Sequence, residues 1–166
     1  MNEALHPPPR PAIRVAVVMD RERAPNRWQD WRFTIAEVVA DEDVFGAERR
    51  VLRDDGKVRR TLYPGFTLEL HVDQADGYYL NLSSGAPVWF VVWRIDDDDP
   101  SLAWPETVSV SYTEAGRWLD AQERVDNVPL PAEVRDWLQA FTDAKYRPEP
   151  KGRKRPPSFL PPSQRG

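Results

Sequence analysis

Alternating polar residues around a single body histidine set the first chemical possibility. Thr67, Glu69 and His71, and then Tyr79, Asn81 and Ser83, stand at every second position. If Asp73 to Gly77 closes a hairpin that pairs Val72 with Tyr78, His71 faces Tyr79, Glu69 faces Asn81 and Thr67 faces Ser83. An imidazole between a carboxylate and a phenol can move protons near neutral pH. Glu69, His71, Tyr79 and Asn81 therefore form a candidate ligand or partner face. The same alternation also describes the solvated side of a half-buried hairpin.

Other groupings point less clearly to chemistry. Asp96 to Asp99 is an acidic run, but consecutive carboxylates cannot all converge on one calcium ion. Pro100 interrupts the run, and no glycine stands at the sixth position of an EF-hand loop. Trp28 and Trp31, interleaved with Arg27, Asp30 and Arg32, have the basic–aromatic texture that stacks on nucleic-acid bases. An acidic body opposes phosphate attraction, so packing is the better reading of these tryptophans. The P-loop, GxGxxG, GxSxG and HExxH patterns are absent. The chain has no cysteine, which excludes thiolate metal sites, a disulfide framework and a cysteine nucleophile within it. No catalytic residue, metal or cofactor is assigned.

The end of the sequence offers a different device. From Arg147 to Gly166 there are six basic residues, Arg147, Lys151, Arg153, Lys154, Arg155 and Arg165, against Glu149 alone, a balance of +5. With a formal charge of −4 overall, the rest carries −9. Proline-rich, extended chain loses less entropy on docking. Arg147, Lys151, Arg153, Lys154, Arg155, Phe159 and Leu160 are accordingly the candidate partner-binding tail. Nucleic-acid binding through the same basic residues is a third, weaker reading.

The elements that must position these residues follow from periodicity. Ten of the 17 prolines lie in the two flanks, from Pro7 to Pro11 and from Pro148 to Pro162. Residues 1–12 therefore read as a disordered Pro-rich N-terminus, 13–146 as one domain and 147–166 as an extended basic tail. Within the domain, Ile13–Met19 and Trp31–Val39 alternate as strands. Arg49–Leu62 reads as a hairpin turning at Asp54-Asp55-Gly56, and Tyr63-Pro64-Gly65 as a further turn. Phe66–Val72, Tyr78–Ser83 and Val108–Tyr112 alternate as well. Val88–Ile95 is apolar on both faces, as a covered central strand would be, and Asp96–Pro105 reads as a loop.

The period then changes. Thr113 is placed to N-cap a helix over Glu114–Arg124, and Pro131 suits the first turn of a helix reaching Ala144. In that second helix Val134, Trp137, Leu138 and Phe141 make one buried stripe. The expectation is an α+β fold: a mostly antiparallel sheet or partly closed barrel of about seven strands, followed by two C-terminal helices. No apolar run approaches the roughly 18–20 residues that span a membrane. The first residues lack the basic and apolar regions of a signal peptide, so a cytoplasmic location is expected.

Several segments also stand in a familiar order: Leu62-Tyr63-Pro64-Gly65-Phe66, Gly77-Tyr78-Tyr79-Leu80-Asn81, Val110-Ser111-Tyr112 before Ala115-Gly116-Arg117-Trp118, Val125-Asp126-Asn127-Val128-Pro129, and Tyr146-Arg147-Pro148-Glu149-Pro150-Lys151. With Arg155-Pro156-Pro157-Ser158-Phe159-Leu160, the chain resembles a proteobacterial family, domain of unknown function 3305, over roughly Val15 to Leu160. Members of that family are often encoded beside molybdenum-dependent formate dehydrogenase genes. The resemblance implies a non-catalytic accessory role, with formate dehydrogenase or its maturation factors as the protein partner. It carries over no catalytic residue.

Overall fold

A strand that is apolar on both faces needs cover on both, and two such strands organise the fold. In the computed structural model, which describes residues 11–24 and 30–148, they are β1 (Ala12–Arg23) and β5 (Val88–Ile95). β1 lies inside an antiparallel sheet with β2 (Trp31–Ala40), β3 (Arg50–Asp54) and β4 (Val58–Glu69), in the order β2-β1-β4-β3. β5 lies between β6 (Ala103–Ser109) and β7 (Arg124–Pro129) in a second antiparallel sheet.

The main core lies between the sheets. Val15, Val17 and Met19 of β1 meet Trp89 and Val91 of β5, and Val108, Tyr78 and Leu138 join them. Full burial of each of these aliphatic side chains is worth about 1.5–3 kcal/mol. The alternate residues Ala16 and Val18 form a smaller cluster with Leu62, packed against Phe45. On β5 the alternate residues Phe90 and Val92 are also buried. Phe90 meets Tyr112 of the helix α2 (Tyr112–Asp120) edge-on at 6.3 Å.

The sheets approach at both edges without merging into a closed barrel. β4 contacts β6, and β2 contacts β7. The links across these seams are side chain to backbone. The Tyr63 hydroxyl donates to the Ala103 carbonyl at 3.1 Å, and the Ile35 N–H donates to the Asp126 carboxylate at 3.3 Å.

Several sequence expectations change in the structure. Tyr63-Pro64-Gly65 does not end a strand, because β4 runs through it. Val15 pairs with Phe66 and Val17 with Tyr63, so Ala16 opposes both Pro64 and Gly65 in a bulge. The bulge accommodates the missing proline N–H, and Gly65 takes its positive φ of 93°. The hairpin at Asp54–Gly56 forms as read, with Asp55 Oδ1 accepting from the N–H groups of Lys57 and Val58. Tyr78–Ser83 is not a strand. It belongs to helix α1 (Ala75–Ser83), which follows a 3-10 turn over Val72–Gln74. Six residues with alternating leucines satisfy either period, and here the buried set is Ala75, Gly77, Tyr78 and Asn81.

Three helices therefore replace the expected two, and β7 separates the last pair. β7 is six residues long and contains Asp126, Asn127 and Pro129, types depleted from strands. α2 is capped by Ser111 rather than Thr113, since the Ser111 hydroxyl accepts from the Glu114 N–H. α3 (Ala132–Lys145) begins after Pro131, as expected. β6 takes in Ala103–Pro105 from the expected loop. The N-terminal boundary also shifts slightly, because β1 starts at Ala12 and the Pro11 carbonyl accepts from the Leu70 N–H. Among the described residues, no helix is long and apolar enough to cross a membrane.

Two helical glycines separate propensity from packing. A Cβ on Gly77 would fall well inside contact with the Ser111 hydroxyl, whereas a Cβ on Gly116 would meet nothing within 4 Å. Alanine gains about 1 kcal/mol over glycine within a helix, and overpacking costs about 1–3 kcal/mol. Gly116→Ala is therefore expected to raise stability by about 0.5–1 kcal/mol. Gly77→Ala is expected to lower it by about 1 kcal/mol or more, because Ser111 is held from several sides. Denaturant midpoints of the two variants check this opposition.

Candidate functional site

The four residues of the expected polar ladder are divided among three environments. Glu69 ends β4 and His71 follows it, with His71 Nε2 3.9 Å from Glu69 Oε2. Both line a cleft of about 220 Å³ with Thr67, Gln74, Tyr78, Thr107, Ser109 and Glu114. Tyr79 and Asn81 lie on α1 instead of on a facing strand, so neither pairs across a hairpin with His71 or Glu69. The aromatic residue that meets the His71 segment is Tyr78, whose hydroxyl accepts from the His71 N–H at 3.0 Å. Burial pushes the Tyr78 phenol above its ordinary pKa, only partly offset by that backbone bond.

Asn81 is 2% exposed and spends its amide on the backbone. Its Nδ2 donates to the carbonyls of Val88 and Val110, both at 2.9 Å, and its Oδ1 accepts from the Val88 N–H at 3.0 Å. This carboxamide ties α1 to the start of β5 and the exit of β6. Tyr79 points outward, 45% exposed, and stacks on Tyr146 with ring centroids 4.4 Å apart and planes 10° from parallel.

Gln74, Ser109 and Glu114 of the cleft join the buried Ser111 in a hydrogen-bond circuit that the strand reading missed. The Ser111 N–H donates to Ser109 Oγ at 3.0 Å, and the Ser109 hydroxyl donates to Glu114 Oε1 at 2.5 Å. The Glu114 N–H returns to Ser111 Oγ at 3.2 Å, and the Ser111 hydroxyl donates to Gln74 Oε1 at 2.8 Å. Both hydroxyl protons are thus committed. A legible signal existed in Ser111-x-x-Glu114, the pattern of a capping box. Here the glutamate takes the Ser109 hydroxyl, and Ser109 in turn receives the Ser111 N–H. The cleft can hold a small polar ligand against His71 and Glu69.

The other candidates are placed as follows. Of the tail, the described residues reach Pro148. Arg147 follows Tyr146 and donates to its carbonyl at 2.8 Å. Lys151, Arg153, Lys154, Arg155, Phe159 and Leu160 lie outside the described residues, as do Trp28 and residues 1–10. Tyr146 closes α3, and the Tyr79 stack fixes it on α1, where Leu80 is also exposed at 46%, as is Val72 at 59% in the 3-10 turn before it. In the acidic loop, Asp96 Oδ1 accepts from the N–H groups of Asp98 and Asp99, and Asp99 Oδ1 accepts from Ser101. Those carboxylates shape the turn. Trp31 lies under two guanidinium groups, Arg21 at 4.2 Å and Arg23 at 4.3 Å from its ring centroid.

Residues 14–155 match the family described as protein of unknown function, DUF3305. Neither the curated proteins nor the solved structures contain a match.

The contrast between Asn81 and its helix neighbour is directly testable. Removing a partner from buried polar groups costs about 1–3 kcal/mol per group. Asn81→Leu is expected to destabilise the fold by about 3 kcal/mol or more. Tyr79→Phe, which keeps the stacked ring, is expected to stay within about 0.5 kcal/mol of the unaltered chain. Urea unfolding of both variants provides the measurement.

Proposed function

The chain belongs to the DUF3305 family, and on that basis we propose that it is a non-catalytic accessory protein that binds another protein through α1 and the basic tail. The observation that carries the reading is the Tyr79–Tyr146 stack, which anchors the root of the tail beside exposed Val72 and Leu80. Exposed apolar residues next to the anchored root of a basic segment can supply both parts of a docking surface. The aromatic and aliphatic groups supply burial, and the +5 tail supplies steering toward an acidic neighbour. The matching partner presents an apolar patch flanked by carboxylates.

The gene neighbourhood implied by the family resemblance supports a molybdenum-dependent formate dehydrogenase, or one of its maturation factors, as that partner. The His71 cleft supports catalysis less well. The protons of Ser109 and Ser111 are already donated to Glu114 and Gln74, and the Tyr78 hydroxyl accepts from the backbone. The acidic balance of the residues before the tail supports nucleic-acid binding less well than protein binding, because phosphate attraction dominates such contacts.

Capture of purified formate dehydrogenase and its maturation factors from the native host tests the proposal. The full chain is expected to retain one of them, and a chain ending at Tyr146 is expected to lose the salt-sensitive part of that binding. Leu80→Asp is expected to weaken retention roughly tenfold or more, the effect of one central interface residue. Failure of the full chain to retain any of these proteins overturns the reading.

A further inference from the structure

A separate cavity, away from α1, opens between β1, β3, β4 and the start of β6. It measures about 110 Å³, room for several waters or one small ion. Its walls carry three guanidinium groups, Arg21, Arg49 and Arg59, and one carboxylate, Asp20, together with Thr61 and Tyr63. Arg21 is half-buried, and one of its terminal nitrogens donates to the Ser101 carbonyl at 2.9 Å. Its Nε is buried and has no hydrogen-bond partner among the described residues. A buried donor without an acceptor is a cost that folded proteins seldom leave in place.

The acids nearby do not meet that need. Asp20 is taken by Arg60 in a two-pronged pair, both bonds at 2.8 Å. Asp54 accepts from Arg59 Nε at 3.0 Å, and Asp99 is occupied with Ser101. The Arg21 pKa is drawn below its ordinary value, first by burial and then by the Arg59 charge, against the pull of Asp54 and Asp99. Arg59 is paired with Asp54, whereas among the described residues neither Arg21 nor Arg49 forms an ion pair with a carboxylate. Trp31 stacks under Arg21 and restricts its guanidinium. A planar fork held in place is the arrangement that recognises oxyanions, because it offers paired donors at little further entropic cost.

We propose that this cavity is a binding site for a small oxyanion, a phosphate or a carboxylate, held by Arg21 and Arg49 with Arg59 at the rim. The bound anion supplies an acceptor to Arg21 and relieves its repulsion with Arg59. Met19, Phe33 and Leu102 in the same wall allow the anionic group to carry a short apolar portion. The site is independent of the protein-binding role, since it shares no residue with α1 or the tail.

Titration of the full chain with inorganic phosphate and, separately, with acetate tests the proposal, each followed by amide chemical shifts against sodium chloride of equal ionic strength. Saturable shifts are expected at Arg21, Thr61, Tyr63 and Ser101 with at least one of the two anions. Arg21→Gln and Arg49→Gln are each expected to weaken that binding roughly tenfold or more, because each removes a charge-assisted pair. Arg135→Gln, on the exposed face of α3, should leave it unchanged. Arg49 is exposed, so Arg49→Gln decides the matter if Arg21→Gln fails to fold. Saturation by neither anion, shifts reproduced by chloride, or equal loss in Arg135→Gln overturns the assignment.

Discussion

The carboxamide of Asn81 is the contact on which the layout of this protein depends. Val88 stands opposite Pro129 in the β5–β7 ladder, and the Leu130 N–H bonds to the Pro87 carbonyl. In an antiparallel pair, hydrogen-bonded and non-bonded positions alternate, so the N–H and C=O of Val88 point away from β7. They face the edge where β6 would continue, but β6 ends at Ser109 and the chain turns into α2. Asn81 fills the vacancy by accepting from the Val88 N–H while donating to the carbonyls of Val88 and Val110. One side chain thereby does what another strand residue would have done.

That substitution constrains what lies around it. To bring Asn81 into the ladder, α1 must approach the Ser111 corner closely, and Gly77 has no side chain to prevent it. Ser111 is then shared among α1, α2 and β6 through Gln74, Glu114 and Ser109. The helix also acquires two distinct sides. Tyr78 goes inward, against Phe141 and the His71 backbone, while the adjacent Tyr79 goes outward to Tyr146. The buried and the exposed side of this short helix are thus set by consecutive residues.

At the two seams the sheets are joined by side chains instead of ladders. Tyr63 reaches Ala103, Asp126 reaches Ile35, and Arg21 reaches Ser101. Such links hold the sheets in register while leaving space between strands, and a continuous backbone ladder across β4 and β6 would close that space. The arginine-lined cavity lies in such a gap. The elements with a clear local signal were legible from the sequence: β1, β2, β5 and the stripe of α3 stand where periodicity placed them, and the β3–β4 hairpin, whose β3 is exposed throughout, stands where the Asp54-Asp55-Gly56 turn placed it. Those with ambiguous or weak patterns were not. Tyr78–Ser83 carried two periods at once, and in Arg124–Pro129 the strand-favouring Val125 and Val128 are interrupted by Asp126, Asn127 and Pro129.

The candidate site divides in the same way. Local chemistry was sufficient to single out Glu69 and His71, which do line one cleft, and to separate an acidic body from a basic tail, because charge and alternation are properties of neighbouring residues. The pairing of those two residues with Tyr79 and Asn81 depended on a hairpin that does not form. Tyr78, Ser109 and Glu114 enter the cleft only because α1 and α2 meet there, and Arg21, Arg49 and Arg59 converge only because three strands and a loop bring them together. Sequence determined which segments had to be covered and which charges had to be solvated or matched. Tertiary structure decided what covered them, because an unpaired strand edge can be satisfied by a distant side chain, and no local pattern records which one arrives.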